Sequence, residues 1–392
     1  MKLEKKVWKY AIVIPAIVSL VLTIMCYYYW NARFTFGFGD MSVRVSSAIK
    51  DLLVAEKTHD EVIAINVSYD RMLVPCNDEL GIPLGEIDIT DRHKLLSFMD
   101  SLAKWNNYRY IVCDVNFDND IHTEWDDALF KRIAGMRDIT VAGGADSEFS
   151  HPSVLIEKVS CSSYEQFLSG DGFLKFTYNA PDGTETMAYR MWRELEGGNI
   201  KRHWWGWSCG GKLCVRSFIP DLEFVTRYDY SSDGEKNLYN LGVDILAEPD
   251  MSVLFDNKII MIGDFKEFDL HDTIKNEVAG TAIIYNTYLA LCSGDHIVHW
   301  WILLLLFVVF GLEVAFALKD FWKDKDDKPK DDNEKRWKTI LRNIVDVILT
   351  LIGYSGVLAI ACFVIYLFSG LFVNAIIIGS FIAFLSLFVE HS

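Results

Sequence analysis

The sequence predicts an α/β domain, with a mainly parallel sheet, helices on its faces and a mixed β-rich insertion, plus four transmembrane helices. Two observations support this prediction. Between residues 31 and 298, short apolar strands alternate with helical segments of about 10 to 15 residues, a pattern typical of parallel pairing. Outside that segment the apolar residues gather in four stretches, each near or above the roughly 20 residues needed to cross ~30 Å of hydrocarbon.

The four apolar stretches divide the chain. We expect the first to be an uncleaved anchor, because no small-residue cleavage site follows it and it ends in an aromatic belt at Tyr27 to Trp30. Four Lys residues in the tail before the first stretch and nine Lys or Arg residues in the loop 319–342 indicate that both termini are cytoplasmic. The predicted divisions are a cytoplasmic tail with the first transmembrane helix (1–30), a periplasmic domain (31–298, with an insertion or cap at 150–248), the second transmembrane helix (299–318), a charged cytoplasmic loop (319–343), the third transmembrane helix (344–368), and the fourth with a short cytoplasmic end (369–392). The chain is then a multi-pass protein of a bacterial cytoplasmic (inner) membrane.

The predicted core elements lie on both sides of the insertion. The strands are 62–68, 110–117, 139–142 and 258–263, and the helices are 91–105, 125–136 and 278–292. The insertion instead carries Gly-rich turns, aromatic strands and a tryptophan cluster at Trp204, Trp205 and Trp207. That cluster either stacks on a ligand or caps a core.

Charge and motifs narrow the classes of function. The formal net charge is −16, a balance that repels nucleic acid and favours cations or cationic partners. We therefore exclude a nucleic-acid partner. The chain has no G-x-S-x-G, P-loop or H-E-x-x-H motif, so no catalytic residue is predicted. His271 beside Asp272 is the only suggestive pair of a histidine and an acid, and such pairs are commonplace.

Polar side chains follow three of the predicted strands. In a parallel sheet, ligands bind beyond the carboxyl ends of the strands. If the strands are neighbours, these groups line one crevice that suits a hard cation or the amine and hydroxyl groups of a small ligand. The equally open alternative is that the acids cap helices or pair with Arg92. The candidates are Asn66, Ser68, Asp70, Asp114, Asn116, Asp118, Asp264, Asp269 and Asp272.

A divalent cation such as calcium is the one cofactor that the sequence raises. Asp114, Asn116 and Asp118 spell D-x-N-x-D, which resembles the start of a calcium loop. An EF-hand is excluded, because Asn119 stands at the position of the turn glycine and Trp125 at that of the bidentate Glu. Alternation on an extended strand can still place three oxygens on one side. A cation site of another type and a solvated strand end are both open interpretations.

Two further pairs of residues are candidates for other roles. Cys209 and Cys214 flank Gly-Gly-Lys-Leu, the spacing of a hairpin closed by a disulfide, and a periplasmic location would permit that bond. Glu313 and Asp346 lie inside predicted transmembrane helices, where carboxylates are costly and often functional. Because both lie near the cytoplasmic ends of their helices, they either couple the spans or merely reach water.

The order of several short motifs resembles the CHASE2 family, an extracytoplasmic sensory domain of bacterial receptors. The matching elements are Val62–Ser68 followed by Asp70, Thr90-Asp91-Arg92, Val112–Phe117, Asp126-Asp127 with Leu129, Asn257–Gly263 and Leu270–Thr273. One span before the domain and three after it are also typical of the family. The resemblance adds Arg92 to the ligand-binding candidates. The chain departs from the family in lacking the Trp of a Pro-Trp-x-Arg element and the Pro after Thr273.

The resemblance implies a non-catalytic, membrane-anchored sensor. Such a protein detects a periplasmic ligand or partner and signals through its transmembrane helices to a separate output protein. The expected partners are the lipid bilayer, a cytoplasmic or membrane output protein and a small extracytoplasmic ligand, with a homo-oligomer left open. The alternatives are a structural or scaffold subunit of a membrane complex and a metal-dependent hydrolase that uses the acidic strand ends.

Overall fold

The chain divides into two compact units. The first comprises Met1–Lys50, Ile200–Ile219 and Asp295–Ser392, and the second comprises Asp51–Asn199 and Pro220–Gly294. The computed structural model describes residues 12–31, 39–53, 59–77, 82–117, 121–143, 152–162, 164–166, 173–224, 226, 236–327, 353, 356–373 and 378–379.

The described helices and strands follow one another along the chain. They are α1 (Ile14–Trp30), α2 (Gly39–Leu53), β1 (Val62–Asn66), β2 (Arg71–Asn77), β3 (Pro83–Thr90), α3 (Arg92–Trp105), β4 (Tyr110–Cys113), α4 (Asp126–Gly135), β5 (Ile139–Ala142), β6 (Val159–Ser160), β7 (Tyr164–Gln166), β8 (Phe173–Thr177), α5 (Met187–Glu196), β9 (Ile200–His203), β10 (Gly206–Cys209), β11 (Lys212–Cys214), β12 (Ser217–Phe218), β13 (Leu238–Asn240), β14 (Ile259–Gly263), β15 (Leu270–Thr273), β16 (Asn276–Ala279), α6 (Gly280–Ser293) and α7 (Trp300–Asp327). A 3-10 turn lies at Ser153–Leu155 and a π-helix at Leu241–Ile245. Residues 356–369 are also helical.

The second unit is built on a six-stranded sheet in the order β13-β1-β14-β4-β5-β6. All five pairings in it are parallel. Strands β1, β4 and β14 are buried along their whole length, as expected for a parallel sheet with both faces covered. The parallel α/β core agrees with the sequence prediction. The segment 150–248, predicted as an insertion or cap, supplies both edge strands of this sheet.

Helices cover both faces of the sheet, because successive apolar side chains of its strands point to opposite faces and both faces must be buried. Helix α3 begins at Asp91, whose carboxylate accepts a hydrogen bond from the Lys94 amide at 3.0 Å. It turns Leu95, Phe98, Met99 and Leu102 into the core with the 3–4 residue spacing of one helix face. Helix α4 packs beside α3, α5 packs against β4 and β5, and α6 packs against β14.

The pairing register sets where the functional site lies. Asn66 at the end of β1 pairs with Gly263 at the end of β14, and Ile262 of β14 pairs with Cys113 at the end of β4. The carboxyl ends of these three strands are therefore level. Residues that follow them meet at one edge of the sheet, which is the arrangement assumed for the acidic crevice.

The first unit holds helices and a small sheet. Helix α1 packs against α7, and β10 pairs antiparallel with both β9 and β11. The Tyr27 hydroxyl accepts a hydrogen bond from the Trp207 amide at 3.1 Å and donates one to the Cys214 carbonyl at 3.2 Å. Gly206 has a φ of 149°, and a Cβ built there would lie 2.1 Å from that hydroxyl oxygen, so glycine is required.

The predicted transmembrane helices are corrected by the structure. Among the described residues, no helix combines the length and the apolar character needed to cross a membrane. Helix α1 has 17 residues, which at 1.5 Å per residue is roughly 25 Å. Helix α7 becomes charged from Lys319 onward, and the third and fourth predicted spans lie largely outside the described ranges. The first and second predicted transmembrane helices are therefore wrong, and so is the multi-pass inner-membrane location, with its periplasmic domain and cytoplasmic termini, that depended on them.

Candidate functional site

One group of predicted site residues, which we name the closed group, comprises Asn66, Ser68 and Asp264 at the ends of β1 and β14. The Asn66 amide donates to Asn240 Oδ1 at 2.9 Å, and its oxygen accepts from the Ser68 amide at 3.2 Å and the Phe265 amide at 3.1 Å. The Ser68 hydroxyl lies 2.6 Å from both the Asn66 oxygen and the Asp264 carboxylate. All three side chains are buried. The closed group holds the strand ends together.

Asp264 keeps its charge despite its burial. Burial acts to raise the pKa of this carboxyl, but hydrogen bonds from Ser68 and from the backbone amides of residues 266, 267 and 268 outweigh burial. The pKa of Asp264 is therefore below its usual value. A carboxylate that accepts several N–H bonds is stabilised in its ionised form. Asp264 has little capacity left for a ligand.

Asp70 and Arg92 also have protein partners. The Asp70 carboxylate accepts from Lys94 Nζ at 2.7 Å and from the Gly242 amide at 2.9 Å, so it joins α3 to the π-helix. The Arg92 guanidinium is buried, lies 4.4 Å from the centroid of the Phe117 ring and donates to the Asn116 carbonyl at 3.1 Å. Its Nε is 3.8 Å from an Asp126 carboxylate oxygen. These contacts correspond to the alternative in which polar residues fasten helices and loops.

The remaining acids reach a cavity of ≈ 210 Å³ in the second unit. It lies between the N-terminal parts of α5 and α6, the β7–β8 hairpin and the end of β4. At one end it is polar, and elsewhere it is mainly apolar. The lining residues are Asp114, Cys161, Ser162, Tyr164, Phe176, Thr186, Met187, Ala188, Asp269, His271, Gly280, Ile283, Ile284 and Thr287.

Glycines allow α6 to begin close to the sheet. A Cβ on Gly263 would lie 1.9 Å from the Thr281 hydroxyl oxygen, and a Cβ on Gly280 would lie 2.2 Å from an Asp269 carboxylate oxygen. Without those side chains, Thr281 reaches the end of β4 and donates to Asp114 Oδ2 at 2.9 Å. The positive end of the helix also favours a negative group at that place. The start of α6 thus positions the Asp114 carboxyl.

Asp269 and His271 form a hydrogen-bonded pair, with Asp269 Oδ1 2.9 Å from His271 Nε2. The Tyr164 ring lies edge-on to the imidazole, with 5.8 Å between ring centroids. The sequence pairs His271 with Asp272 by adjacency, but side chains alternate along an extended strand. Asp269 and His271 therefore share one side of the β15 segment, and Asp272 is exposed on the other. We name Asp114, Asp269, His271 and Thr281 the cavity group.

The electrostatics of the cavity group are opposite to those of the closed group. Burial, with a further contribution from the charge of Asp269, raises the pKa of Asp114 to about 7. The hydrogen bond to Asp269 and the charges of Asp269 and Asp114 raise the pKa of His271, against the effect of its burial. Near neutral pH, Asp114 is thus poised between its neutral and charged forms, which is common at functional sites.

The predicted calcium-like set is not brought together within the described residues. Asp114 points to the cavity, the Asn116 side chain is exposed, and Asp118 lies outside the described residues. Across the described part of the chain, no group of three or more His, Cys, Asp or Glu side chains is arranged to hold a metal ion. The cavity group therefore offers hydrogen bonds and charge rather than a described metal cage.

The remaining candidates lie in the first unit or beyond the described ranges. Cys209 and Cys214 lie on the neighbouring strands β10 and β11. Cys209 pairs with Lys212 and Cys214 with Trp207, so the two cysteines are diagonal rather than opposite, and a disulfide would require backbone movement. Glu313 is buried in α7, and Asp346 lies outside the described residues. The coupling role predicted for this pair stays a prediction.

Sequence reasoning found two members of the cavity group, Asp114 and Asp269, by their position after strands. It missed Thr281 and gave His271 the wrong partner. It also missed the apolar wall, because those residues come from three distant segments of the chain. The one available signal was Gly280-Thr281 at the start of a helix that directly follows a strand, where a hydroxyl can face the sheet edge.

No protein-family model, no curated protein and no solved structure matches the chain. The resemblance to the CHASE2 family therefore stays a prediction. The inference of function depends on the geometry of the cavity.

Proposed function

We propose that the second unit is a sensory domain that binds a small ligand in the cavity and transmits its occupancy to a separate output protein. The observation that carries the proposal is the cavity of ≈ 210 Å³ with ionisable groups at one end and an apolar wall. Ligand sites in proteins combine an apolar lining with a few convergent polar groups in this way. A cavity that can hold an aromatic ring is consistent with such a ligand, since engineered apolar cavities of about 150 Å³ bind benzene.

The position of the cavity supports a sensory role. It is lined by the first turns of both α5 and α6 and by the end of the central strand β4. A ligand that contacts all three elements affects how they pack. Any change in that packing is coupled to binding, because a ligand shifts a conformational equilibrium by its differential affinity for the two states. The cavity group thus lies where a bound ligand can alter the packing of the second unit.

A thermal-shift screen of the full chain against a library of small polar and amphipathic molecules tests the binding step. A ligand that binds only the folded state at 100 times its Kd stabilises it by about 2.7 kcal/mol. We expect at least one ligand to raise Tm by about 5 °C or more. Ala188→Phe, which fills the cavity, should abolish the shift, and the exposed substitution Val253→Phe should preserve it. If Ala188→Phe fails to fold, Thr287→Leu at the same cavity replaces it.

Co-purification from the native host tests the signalling step. A sensor should bind its output protein conditionally, with an amount that changes when the ligand from the screen is added. A partner that is stoichiometric with and without the ligand would instead support the scaffold role, even if a ligand binds. If no compound in the library shifts Tm and no partner responds to any addition, the sensory proposal is overturned.

A further inference from the structure

Of the two carboxyls in the cavity group, Asp114 forms no ion pair with a described residue, and the charge of His271 acts on it only at longer range. Asp269 is paired with His271 at 2.9 Å. Asp114 receives a single hydrogen bond, from the neutral Thr281 hydroxyl to Oδ2, and its Oδ1 accepts no hydrogen bond from any described residue. A carboxylate in such a site lacks compensation for the water it has lost. A cation that enters the cavity would supply it.

The rest of the cavity lining determines which apolar part a ligand can have. Phe176, Met187 and Ile283 line it, and the Tyr164 ring stands at its polar end. A volume of ≈ 210 Å³ exceeds the roughly 150 Å³ that accommodates benzene by the size of a few atoms. A fully hydrated metal ion would leave this apolar wall without a contact. The volume and lining fit one ring, or a branched alkyl group of equal size, with a short polar arm.

From this geometry we infer that the ligand is a small primary amine with an apolar body about the size of benzylamine, bound as its ammonium ion against Asp114. The inference rests on the proposed function, because it specifies the ligand of the same cavity. The ammonium donates to the free Asp114 oxygen, and the apolar body contacts the wall formed by α5, α6 and β8. Charge-assisted bonds of this kind are stronger than neutral ones.

Amine binding also moves a proton. Below about pH 7, Asp114 is largely protonated in the free protein, since its pKa is about 7. Ammonium binding favours the carboxylate, so the complex forms from a carboxylic acid and an ammonium ion and releases one proton to solvent. We therefore expect affinity to rise by up to tenfold per pH unit and to level off above about pH 7.

The other titratable groups at the cavity act in the same direction or stay neutral. His271 loses positive charge as pH rises, which reduces its repulsion of an ammonium ion, and Asp269 remains its partner. Burial raises the pKa of the Cys161 thiol to about 11, so that thiol stays neutral. The Tyr164 phenol is the remaining titratable group of the lining, and α5 and α6 present none to the cavity.

Calorimetry on the full chain tests the inference with benzylamine, benzyl alcohol and benzoate as matched probes. These probes share one ring and differ in charge. Titrations run from about pH 5 to about pH 8, in two buffers of different ionisation enthalpy, so that proton release is measured directly. We expect benzylamine to bind at least tenfold more tightly than either isostere at pH 8. Its affinity should fall towards pH 5 as protons are released.

Two variants separate the charge of Asp114 from the cavity itself. Asp114→Asn should abolish the preference for the amine and the proton release from Asp114, leaving only the weaker pH dependence that His271 contributes, while benzyl alcohol still binds. The control Asp272→Asn removes an exposed acid of the same hairpin and should behave like the native chain. The amine inference is overturned if benzyl alcohol or benzoate binds as tightly as benzylamine, or if amine affinity does not depend on pH. In either case the ligand-binding proposal stands.

Failure of the proposed function gives a different pattern. If neither the three probes nor any library compound binds the full chain, both the cavity function and the amine inference are overturned. If library compounds bind in the cavity but none of a panel of primary amines of this size does, only the amine inference is overturned. Loss of binding in Ala188→Phe distinguishes cavity binding from binding elsewhere.

Discussion

The closed group and the cavity group lie at the same edge of one sheet, and both begin with an acid or amide directly after a buried strand. They differ in how many hydrogen-bond donors face them. Asn66 and Asp264 are surrounded by backbone amides and by the Ser68 hydroxyl. Asp114 faces one hydroxyl and a cavity. The closed group therefore stabilises the fold, and the cavity group remains available for a ligand.

The two groups show that an acid at a strand end does not by itself define a binding site. The loop after β14 turns its amides back onto Asp264, which lowers the pKa of that carboxyl. The segment after β4 leaves Asp114 under the start of α6, where burial raises the pKa to about 7. The direction of the pKa shift thus separates a structural carboxylate from a candidate functional one, as expected when hydrogen bonding and burial compete.

The largest expected effect comes from breaking the closed group. Asn66→Ala removes three hydrogen bonds from a fully buried side chain, to Asn240 and from the Ser68 and Phe265 amides. At roughly 1–3 kcal/mol for each polar group left unpaired, we expect the free energy of unfolding to fall by about 5 kcal/mol. Urea unfolding of the full chain, together with amide hydrogen exchange in β1 and β14, measures this loss. The matched control Asn116→Ala, at an exposed side chain, should change stability by less than about 0.5 kcal/mol.

An equal loss in the two Asn variants would contradict the structural role of the closed group. So would unchanged hydrogen exchange in β1 and β14 of Asn66→Ala, because the Asn66 side chain joins the end of β1 to Asn240 of β13 and to the Phe265 amide in the loop after β14. A loss confined to the first unit would also conflict with the described contacts. The test therefore depends on where in the chain stability is lost as well as on how much is lost.

Removing the charge of Asp114 in the cavity group should, in contrast, raise the free energy of unfolding. The folded-state pKa of Asp114 is about 7 against an ordinary value of 3.8, so this carboxyl stabilises the fold fully below its unfolded pKa. That stability is lost as pH rises through about 7. Asp114→Asn does not titrate and can still accept from Thr281. At pH 8 we expect it to be about 4 kcal/mol more stable than the native chain without ligand.

The pH dependence of this gain is the decisive measurement. The difference in unfolding free energy between Asp114→Asn and the native chain should increase from about pH 4 to about pH 7 and then remain constant. Asp272→Asn should show no such increase, because that acid is exposed. A gain that is independent of pH would mean that Asp114 does not titrate in this range.

The strands that carry both groups could be predicted from the sequence. The apolar runs at Val62–Asn66 and Ile259–Gly263 have the length and composition of buried parallel strands, and they are found as such. The parallel topology then placed the acids after them at one edge. Asp114 and Asp269 followed from that argument. A pattern of apolar residues predicts a strand or helix and the residue at which it ends, because the pattern depends only on residues that are close together in sequence.

The remainder depends on contacts between distant segments. Asp264 and Asp114 have the same local signal, and only the path of the loop after each strand decides how many amides they meet. The pairing of Asp269 with His271 depends on alternation in a hairpin whose start the sequence did not mark. Hydropathy measured only an apolar run at the first predicted span, where the described helix α1 has 17 residues, short of the roughly 20 that a crossing needs.

A smaller effect is expected from closing the gap between β14 and α6. Gly263→Ala places a Cβ 1.9 Å from the Thr281 hydroxyl oxygen, so α6 must move or Thr281 must rotate. We expect a loss of about 2 kcal/mol and a higher pKa for Asp114, because the Thr281 bond favours its charged form. The control Gly135→Ala meets open space at the end of α4. NMR titration of the Asp114 carboxyl would check the pKa, and an unchanged value would mean that Thr281 does not position it.

The smallest expected effect concerns how the free energy of unfolding depends on pH in acid. Asp264 and Asp114 should contribute to that slope with opposite signs. The pKa of Asp264 is lowered in the folded state, so its contribution is present above its unfolded pKa and is lost as pH falls through the folded value. One such group changes the slope of unfolding free energy by at most about 1.4 kcal/mol per pH unit. Asp264→Asn should therefore flatten the slope below about pH 4 without altering the slope between about pH 4 and pH 7. Asp114→Asn should do the reverse, since its titration lies in the higher range.

Urea unfolding of both variants across this range decides the matter through slopes rather than absolute stabilities, so the separate cost of breaking the closed group cancels. Equal changes of slope in both variants, or a change in the same pH range, would show that the two groups are not electrostatically distinct.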